Sequence, residues 1–405
     1  MTLRIHNTLT RRTEPFEPRR RGAVSMYVCG PTVYDVPHLG HGRTALTYDV
    51  IRRYLEWRGL DVTVASNVTD IDDKIIARAR ADGRAEPDVA AEFSAAYDVG
   101  MARLGVLEAH TRPRATQFVA QMVDVVAALL ARGAAYEVPG RGVYLSVEAV
   151  DGYGRLAGRD VEQLRRDAGA RVEVDPHKRS PLDFALWKAA TAGEPSWETP
   201  WGPGRPGWHT ECVAMSLDAL GDGFDIHGGG DDLVFPHHQN ELAQAVALGR
   251  AFARCWVHSA MVNVGGDKMA KSAGNYTNLS EALDDVGPRA VRMAALQTHY
   301  RKAMEMGPSS LKAAAAAVGR LDAFERRARA AGVELDDGEP DEEVMARFVE
   351  EMDDDFSTPA AVDLAFTVVR RVNAALDGAG GNADRAGGAA GDRAAAARAA
   401  EARAA

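Results

Sequence analysis

A chain of 405 residues with 46% hydrophobic content has the composition of a globular protein and the length of roughly two to four domains. No stretch approaches the ~18 apolar residues of a membrane span, and no apolar core follows Arg11, Arg12, Arg19, Arg20 and Arg21 as a secretory signal requires. Three cysteines exclude a disulfide framework and point to a reducing cytoplasm, and a net charge of −10 leaves nucleic-acid binding to a local basic face.

In chain order, Met26-Tyr-Val28 reads as a first strand. A helix follows from about His41 to Arg58, with Leu46, Val50, Ile51, Tyr54 and Leu55 as its apolar stripe and Gly59 as its C-terminal cap. Val62-Thr-Val64 is the next strand. This strand–helix–strand unit is half of a Rossmann-like, doubly wound parallel sheet, and ligands of such sheets bind at the carboxyl ends of the strands. Here that end is the segment from Cys29 to His41.

Residues 115–200 read as an insertion into this α/β fold. It contains a helix from about Thr116 to Arg132, a hairpin of Ala135–Val138 and Gly142–Leu145, and a polar run from Gly154 to Arg179. Sheet patterning returns near Trp208, with Phe224–Gly230 as another strand ending in a glycine turn. Helical spacing dominates from about residue 285 (Val291, Leu296, Leu311, Val318, Leu321, Phe324). From Asp377 the chain is rich in Ala, Arg and Gly and lacks large apolar residues, which predicts a weak helix or disorder. The expected divisions are therefore 1–114 and 201–285 as two halves of the sheet domain, 115–200 inserted, 286–376 as a C-terminal helical domain, and 377–405 as a tail.

Four residues suit a four-coordinate zinc ion: Cys29, Cys212, His237 and Glu241 offer two thiolates, an imidazole and a carboxylate. His237 and Glu241, four apart, share one side of a helix. No local spacing forces the quartet together, and each cysteine reads equally as a buried core thiol, the state expected of Cys255. His38-Leu-Gly-His41 places two histidines and a small residue at a helix start, where amide groups attract anions. Lys268 and Lys271 lie between Gly265-Gly266 and Gly274, as suits a mobile basic loop. Taken alone, each of these pairs also fits an ordinary surface role.

Together, Met26-Tyr-Val-Cys-Gly-Pro-Thr-Val-Tyr-Asp35, His38-Leu-Gly-His41, Asn67-Val-Thr-Asp-Ile-Asp-Asp-Lys74, Gly207-Trp-His-Thr-Glu-Cys212, Phe235-Pro-His-His-Gln-Asn-Glu241 and Lys268-Met-Ala-Lys-Ser272 resemble the cysteinyl-tRNA synthetases, a class I aminoacyl-tRNA synthetase family. The resemblance runs from about residue 3 to about residue 375. It implies that Cys29, Cys212, His237 and Glu241 hold one zinc ion that recognises the substrate thiolate. It implies catalytic roles for His38, His41, Lys268 and Lys271, with Gly40, Gly229 and Asp232 joining His38, His41 and Lys271 around ATP. Thr69, Trp208 and Gly30 are then expected at the amino acid. Trp208 otherwise packs in the core, and Thr69, Asp70, Asp72 and Asp73 otherwise cap a helix starting at Lys74. Ala270 replaces the family's serine in the signature loop, and Gln239 stands where relatives often carry glutamate.

The resemblance further implies a cytoplasmic monomer acting on L-cysteine, ATP with Mg2+, and tRNA(Cys), the insertion meeting the acceptor end of the tRNA. Relatives carry a small anticodon-binding domain after the helical region. No aromatic residue follows Phe366 here, so the expectation is normal activation with poor, anticodon-insensitive charging. Two other readings compete: a cysteine ligase for a small amine, of the mycothiol-pathway type, and a non-catalytic zinc- or RNA-binding module.

Overall fold

The computed structural model describes residues 2–167, 176–264, 276–333 and 338–383, and the backbone alone at 267–268 and 379–383. The chain divides into two compact units: residues 6–261, and residues 262–405 with residues 1–5.

In the first unit, four parallel strands lie in the order Cys255–Ser259, Ile226–Gly230, Ala23–Val28, Asp61–Ser66. Ala23–Val28 and Asp61–Ser66 are longer than the apolar runs that announced them, because ladder pairing carries Ala23–Ser25 and Ala65–Ser66 along with the buried residues, whereas Ile226–Gly230 starts two residues after the expected Phe224. The helix Leu39–Trp57 connects Ala23–Val28 to Asp61–Ser66. It buries Leu39, Leu46, Ile51 and Leu55 at 0–3% exposure, each burial stabilising by about 1.5–3 kcal/mol. It starts two residues before the expected His41, because His38 itself caps it.

A second helix, Asp73–Asp82, is capped by the Asp72 side chain on Lys74 N. On the sheet's other side the helix Trp208–Leu220 packs Cys212, Val213 and Met215 against Tyr27, Phe224 and Trp256.

The inserted region holds the helix Val119–Ala131 and an antiparallel sheet ordered Ala135–Val138, Gly142–Leu145, Phe184–Ala189, Gly204–Pro206. That sheet takes its fourth strand from beyond residue 200, pairing Gly204–Pro206 with Trp187–Ala189. Its core is Val143, Leu145, Leu186 and Trp187, all at 0% exposure.

The second unit contains the short strands Val262–Val264, Asp267–Lys268 and Met304–Glu305. Helices Leu279–Val286, Pro288–Leu296, Pro308–Ala330, Glu342–Asp353 and Thr358–Ala383 follow or flank them. The last helix continues past the expected break at residue 376 to Ala383. Asp355 and Phe356 have φ of 60° and 55°, the left-handed region uncommon for residues with a Cβ. Asp355 is held there by Tyr300 Oη at 2.6 Å, Arg301 Nε at 2.5 Å and its own N–H on Arg4 O at 3.0 Å.

Among the described residues, no helix is long and apolar enough to cross a membrane.

Candidate active site and metal centre

The candidate site residues gather at the carboxyl ends of the parallel strands. Cys29 follows the strand Ala23–Val28, and its N–H bonds Gly228 O of the neighbouring strand at 2.9 Å. Cys212 comes up on the helix Trp208–Leu220, and Glu241 on the helix Gln239–Ala247. His237 belongs to a wide turn, Val234–His238, just ahead of that helix rather than to the helix itself. The i, i+4 spacing still brings its Nε2 to 3.0 Å from Glu241 Oε1.

The four donor atoms lie within 4.8 Å of one another. Cys29 Sγ is 3.5 Å from Cys212 Sγ and 3.6 Å from Glu241 Oε1. A tetrahedral ion with M–S bonds of about 2.3 Å and M–O or M–N bonds of about 2.0 Å has edges of about 3.7, 3.5 and 3.3 Å for S–S, S–O and N–O pairs. The observed 3.5, 3.6 and 3.0 Å fit that figure. Burial, and the neighbouring acidic groups, push the Cys29 thiol well up and the Cys212 thiol to about 11. A cation reverses that order by favouring every deprotonated ligand.

A second set, Cys29, His227, His238 and Glu241, also gathers within 4.8 Å. His238 Nε2 is 3.3 Å and His227 Nε2 3.8 Å from Cys29 Sγ. Both sets share Cys29 and Glu241, so the carboxylate faces imidazoles on two sides: His227 Nε2 is 3.0 Å from Oε2. The pair was legible only in part. His227 sits in a segment whose glycines drew attention, and His238 is masked in sequence by its neighbour His237.

The outer groups orient the inner ones. His237 Nδ1 is 2.9 Å from His209 Nδ1, so a proton on the former fixes its Nε2 as the lone-pair nitrogen. Burial lowers His209 to about 3, which keeps it neutral. Trp208, half-buried, stacks on His237 with ring centroids 4.0 Å apart. It therefore lies against the quartet rather than in the core behind it. Cys29 is only half-buried, whereas Cys212, His237 and Glu241 are at 0–1% exposure, so the cluster is approached from the Cys29 side.

His38 and His41 form a reciprocal cap. His41 N donates to His38 Nδ1, and His38 N donates to His41 Nδ1, each at 3.2 Å. Their rings stack at 3.8 Å. Because both Nδ1 atoms accept, each neutral ring carries its proton on Nε2. Burial lowers His38 to about 4, against the opposing pull of Asp232, and lowers His41 to about 3. Gly40 falls in the first turn between them.

The Asp232 effect on His38 puts the glycine turn and the histidine pair in one field. Tyr48 supports that turn: its Oη accepts from Gly229 N at 2.5 Å and lies 2.7–2.8 Å from the carbonyls of Val257 and Gly229. A Cβ at Gly228 would overlap the Tyr48 ring, so only glycine fits.

Of the polar run 69–73, Thr69 alone turns to the buried side; its Oγ1 donates to Glu211 Oε2 at 2.9 Å. Asp70 accepts from Thr116, Asp72 caps its helix, and Asp73 pairs with Lys188 at 2.5 Å and with Arg205. Gly30 packs on Asn67 so closely that a Cβ would overlap the Asn67 carbonyl. Gln239 Oε1 accepts from Leu156 N at 3.0 Å and stays off the quartet. Cys255 is buried, as expected. Lys271 and the Lys268 side chain lie outside the described residues.

Comparison with known proteins gives this arrangement its class. The model of the class I (C) tRNA synthetase catalytic domain matches residues 15–316, and that of the DALR domain matches 347–402. The second match takes in most of the region from 377 onward that composition set apart as a tail. A solved methionyl-tRNA synthetase from Mycobacterium tuberculosis, in complex with methionyl-adenylate, superposes with a TM-score of 0.71 at 15% identity, over 93% of this chain and 88% of that one. At that identity the likeness carries the fold alone. The chain is a class I aminoacyl-tRNA synthetase by family.

The cysteine–tRNA ligase of Thermotoga maritima is 48% identical over 381 residues, 93% of this chain and 82% of the relative. That of Syntrophotalea carbinolica is 46% identical over 378 residues, 92% and 78%. Within its class, then, the chain belongs to the cysteine–tRNA ligase family.

Proposed function

We propose that this chain activates L-cysteine with ATP and transfers it to the 3′ end of tRNA(Cys), with one zinc ion held by Cys29, Cys212, His237 and Glu241. The observation that carries the reading is the convergence of these four donors within 4.8 Å at the carboxyl ends of the strands. Two thiolates make this set softer than the alternative with His227 and His238, and soft donors favour zinc. Bound there, zinc supplies a thiol-selective Lewis acid that a serine hydroxyl satisfies poorly.

The remaining chemistry belongs to the chain. Trp208 walls the amino-acid site beside His237, and Gly30 and Thr69 shape its floor. A cysteine carboxylate oxygen attacks the α-phosphorus of ATP; the bond to the bridging oxygen breaks, and pyrophosphate leaves with Mg2+. His38 and His41, neutral and protonated on Nε2, donate to phosphate oxygens as charge builds. Gly40 and Gly229 let the nucleotide approach the backbone, and Asp232 lies at the same turn. Lys268 and Lys271 bring positive charge to the triphosphate in the transition state. In the second step a terminal ribose hydroxyl of tRNA attacks the cysteinyl carbonyl and AMP departs.

Acylation assays offering tRNA(Cys) and small amines side by side test the acceptor. Cysteinyl-tRNA is the expected product; acylation of an amine in its place would contradict the proposal.

A further inference from the structure

Beside the metal quartet lies a buried residue that supplies none of its donors. Asn67, at 1% exposure, follows the strand Asp61–Ser66. Its Oδ1 accepts the N–H of Gly30 at 2.9 Å, and its Nδ2 donates to Thr69 Oγ1 at 3.1 Å. Thr69 donates onward to Glu211 Oε2 at 2.9 Å, and Thr69 and Glu211 are each at 1% exposure.

The direction of this chain is fixed at its Gly30 end. An N–H can only donate, so the Asn67 atom facing Gly30 is the oxygen. The amide therefore has one orientation, and neighbouring bonds of such a series reinforce one another at low dielectric.

The peptide captured by Asn67 Oδ1 is the one joining Cys29 to Gly30. Holding its plane limits rotation at Cys29 and so aims the Cys29 sulfur. The same Oδ1 lies 3.7 Å from Cys212 Sγ, and Glu211 precedes Cys212 on its helix. One side chain thus touches the mounts of both sulfurs, which come from different elements and are 183 positions apart. The close packing of Gly30 on the Asn67 backbone leaves the loop no slack to compensate.

We infer that Asn67 is a positioning residue for the metal centre: it locks the Cys29–Gly30 peptide against the Cys212 helix, so the two thiolates are set at bonding separation before the ion arrives. The inference rests on the zinc reading above. It predicts a specific loss. Removing an outer partner of a metal ligand typically weakens metal binding about 10–100-fold.

The test uses the full chain stripped with a chelator and refilled with Co2+, whose ligand-field and sulfur charge-transfer bands report tetrahedral thiolate geometry, followed by Zn2+ competition. Wild type should show those bands. Asn67→Ala should bind both ions about tenfold weaker or more, with displaced bands. Asn67→Leu keeps the shape and volume but removes the acceptor for Gly30, so it should weaken and displace the bands as Asn67→Ala does, which separates the hydrogen bond from packing.

Wild-type affinity and bands in Asn67→Ala would overturn the inference, as would wild-type affinity and bands in Asn67→Leu. Should circular dichroism show that Asn67→Ala does not fold, Asn67→Leu decides: displaced bands with weaker binding support the inference, and wild-type bands contradict it. A wild-type chain with no tetrahedral signal would instead overturn the zinc reading itself.

Discussion

The two halves of the site differ in how they carry charge. The quartet gathers two thiols and a carboxylate within 4.8 Å, and a bound cation would favour their deprotonated forms. Cys212→Ala should therefore lose bound zinc and cysteine activation together, measured as metal content and pyrophosphate exchange on the same preparation. Full exchange in the metal-free variant would contradict the assignment. His38 and His41 work in the opposite sense, since burial holds them neutral, at about 4 and about 3. Their lowered values mean that the unfolded chain binds more protons than the folded one between about pH 6.5 and 4. Stability should then decline as pH falls through that window, by up to about 1.4 kcal/mol per pH unit for each. Nitrogen NMR of labelled histidine should find both rings as Nε2–H tautomers at pH 6.5, and exchange should lose nothing to these residues between pH 6.5 and 8. A histidine pair that must be cationic would lose rate across that range. If Lys271 acts on the transition state as proposed, its replacement by Ala should slow adenylate formation while cysteine binding holds. A fall in cysteine affinity with an unchanged rate would remove it from that role.

Elements were legible where local chemistry sets them and less so where pairing does. The hairpin Ala135–Val138 and Gly142–Leu145 matched its apolar runs, and Asp72 capped its helix, because both signals are local. The strand Gly204–Pro206 was missed because three residues with a glycine and a proline have no strand signature; its pairing with Trp187–Ala189 makes it one. The helix Thr358–Ala383 outran its expected end because a glycine-rich stretch reads as a break, although helical hydrogen bonding continues through it. The turn after the helix Glu342–Asp353 is set by one tertiary residue, Asp355, in a left-handed conformation. Asp355→Ala removes the buried carboxylate that accepts from Tyr300 Oη and Arg301 Nε, and with it a residue that tolerates positive φ. It should cost roughly 1–3 kcal/mol in urea unfolding, read on the chain with zinc present throughout. An unchanged midpoint would show that this network does not hold the turn.

At the scale of the whole molecule, the sequence carried the site through its separated motifs and not through composition or charge. Cys29, Cys212, His237 and Glu241 span 212 positions, and only the fold brings them within 4.8 Å. Spacing had left a core role open for each cysteine; parallel pairing of Ala23–Val28 with Ile226–Gly230 is what gives Cys29 its neighbours. What stayed hidden was the support around the quartet: His209, His227, His238, Asn67 and Glu211. Nothing local distinguishes such residues from ordinary buried polar ones, because their roles exist only in three dimensions. The central claim is that this site selects a thiol, and its most direct measurement is pyrophosphate exchange with cysteine and with serine on one zinc-loaded preparation. A pocket that discriminates by size alone yields about 10–200-fold. The account predicts discrimination beyond that range, with exchange supported by cysteine and essentially absent with serine; comparable exchange with the two amino acids would contradict it.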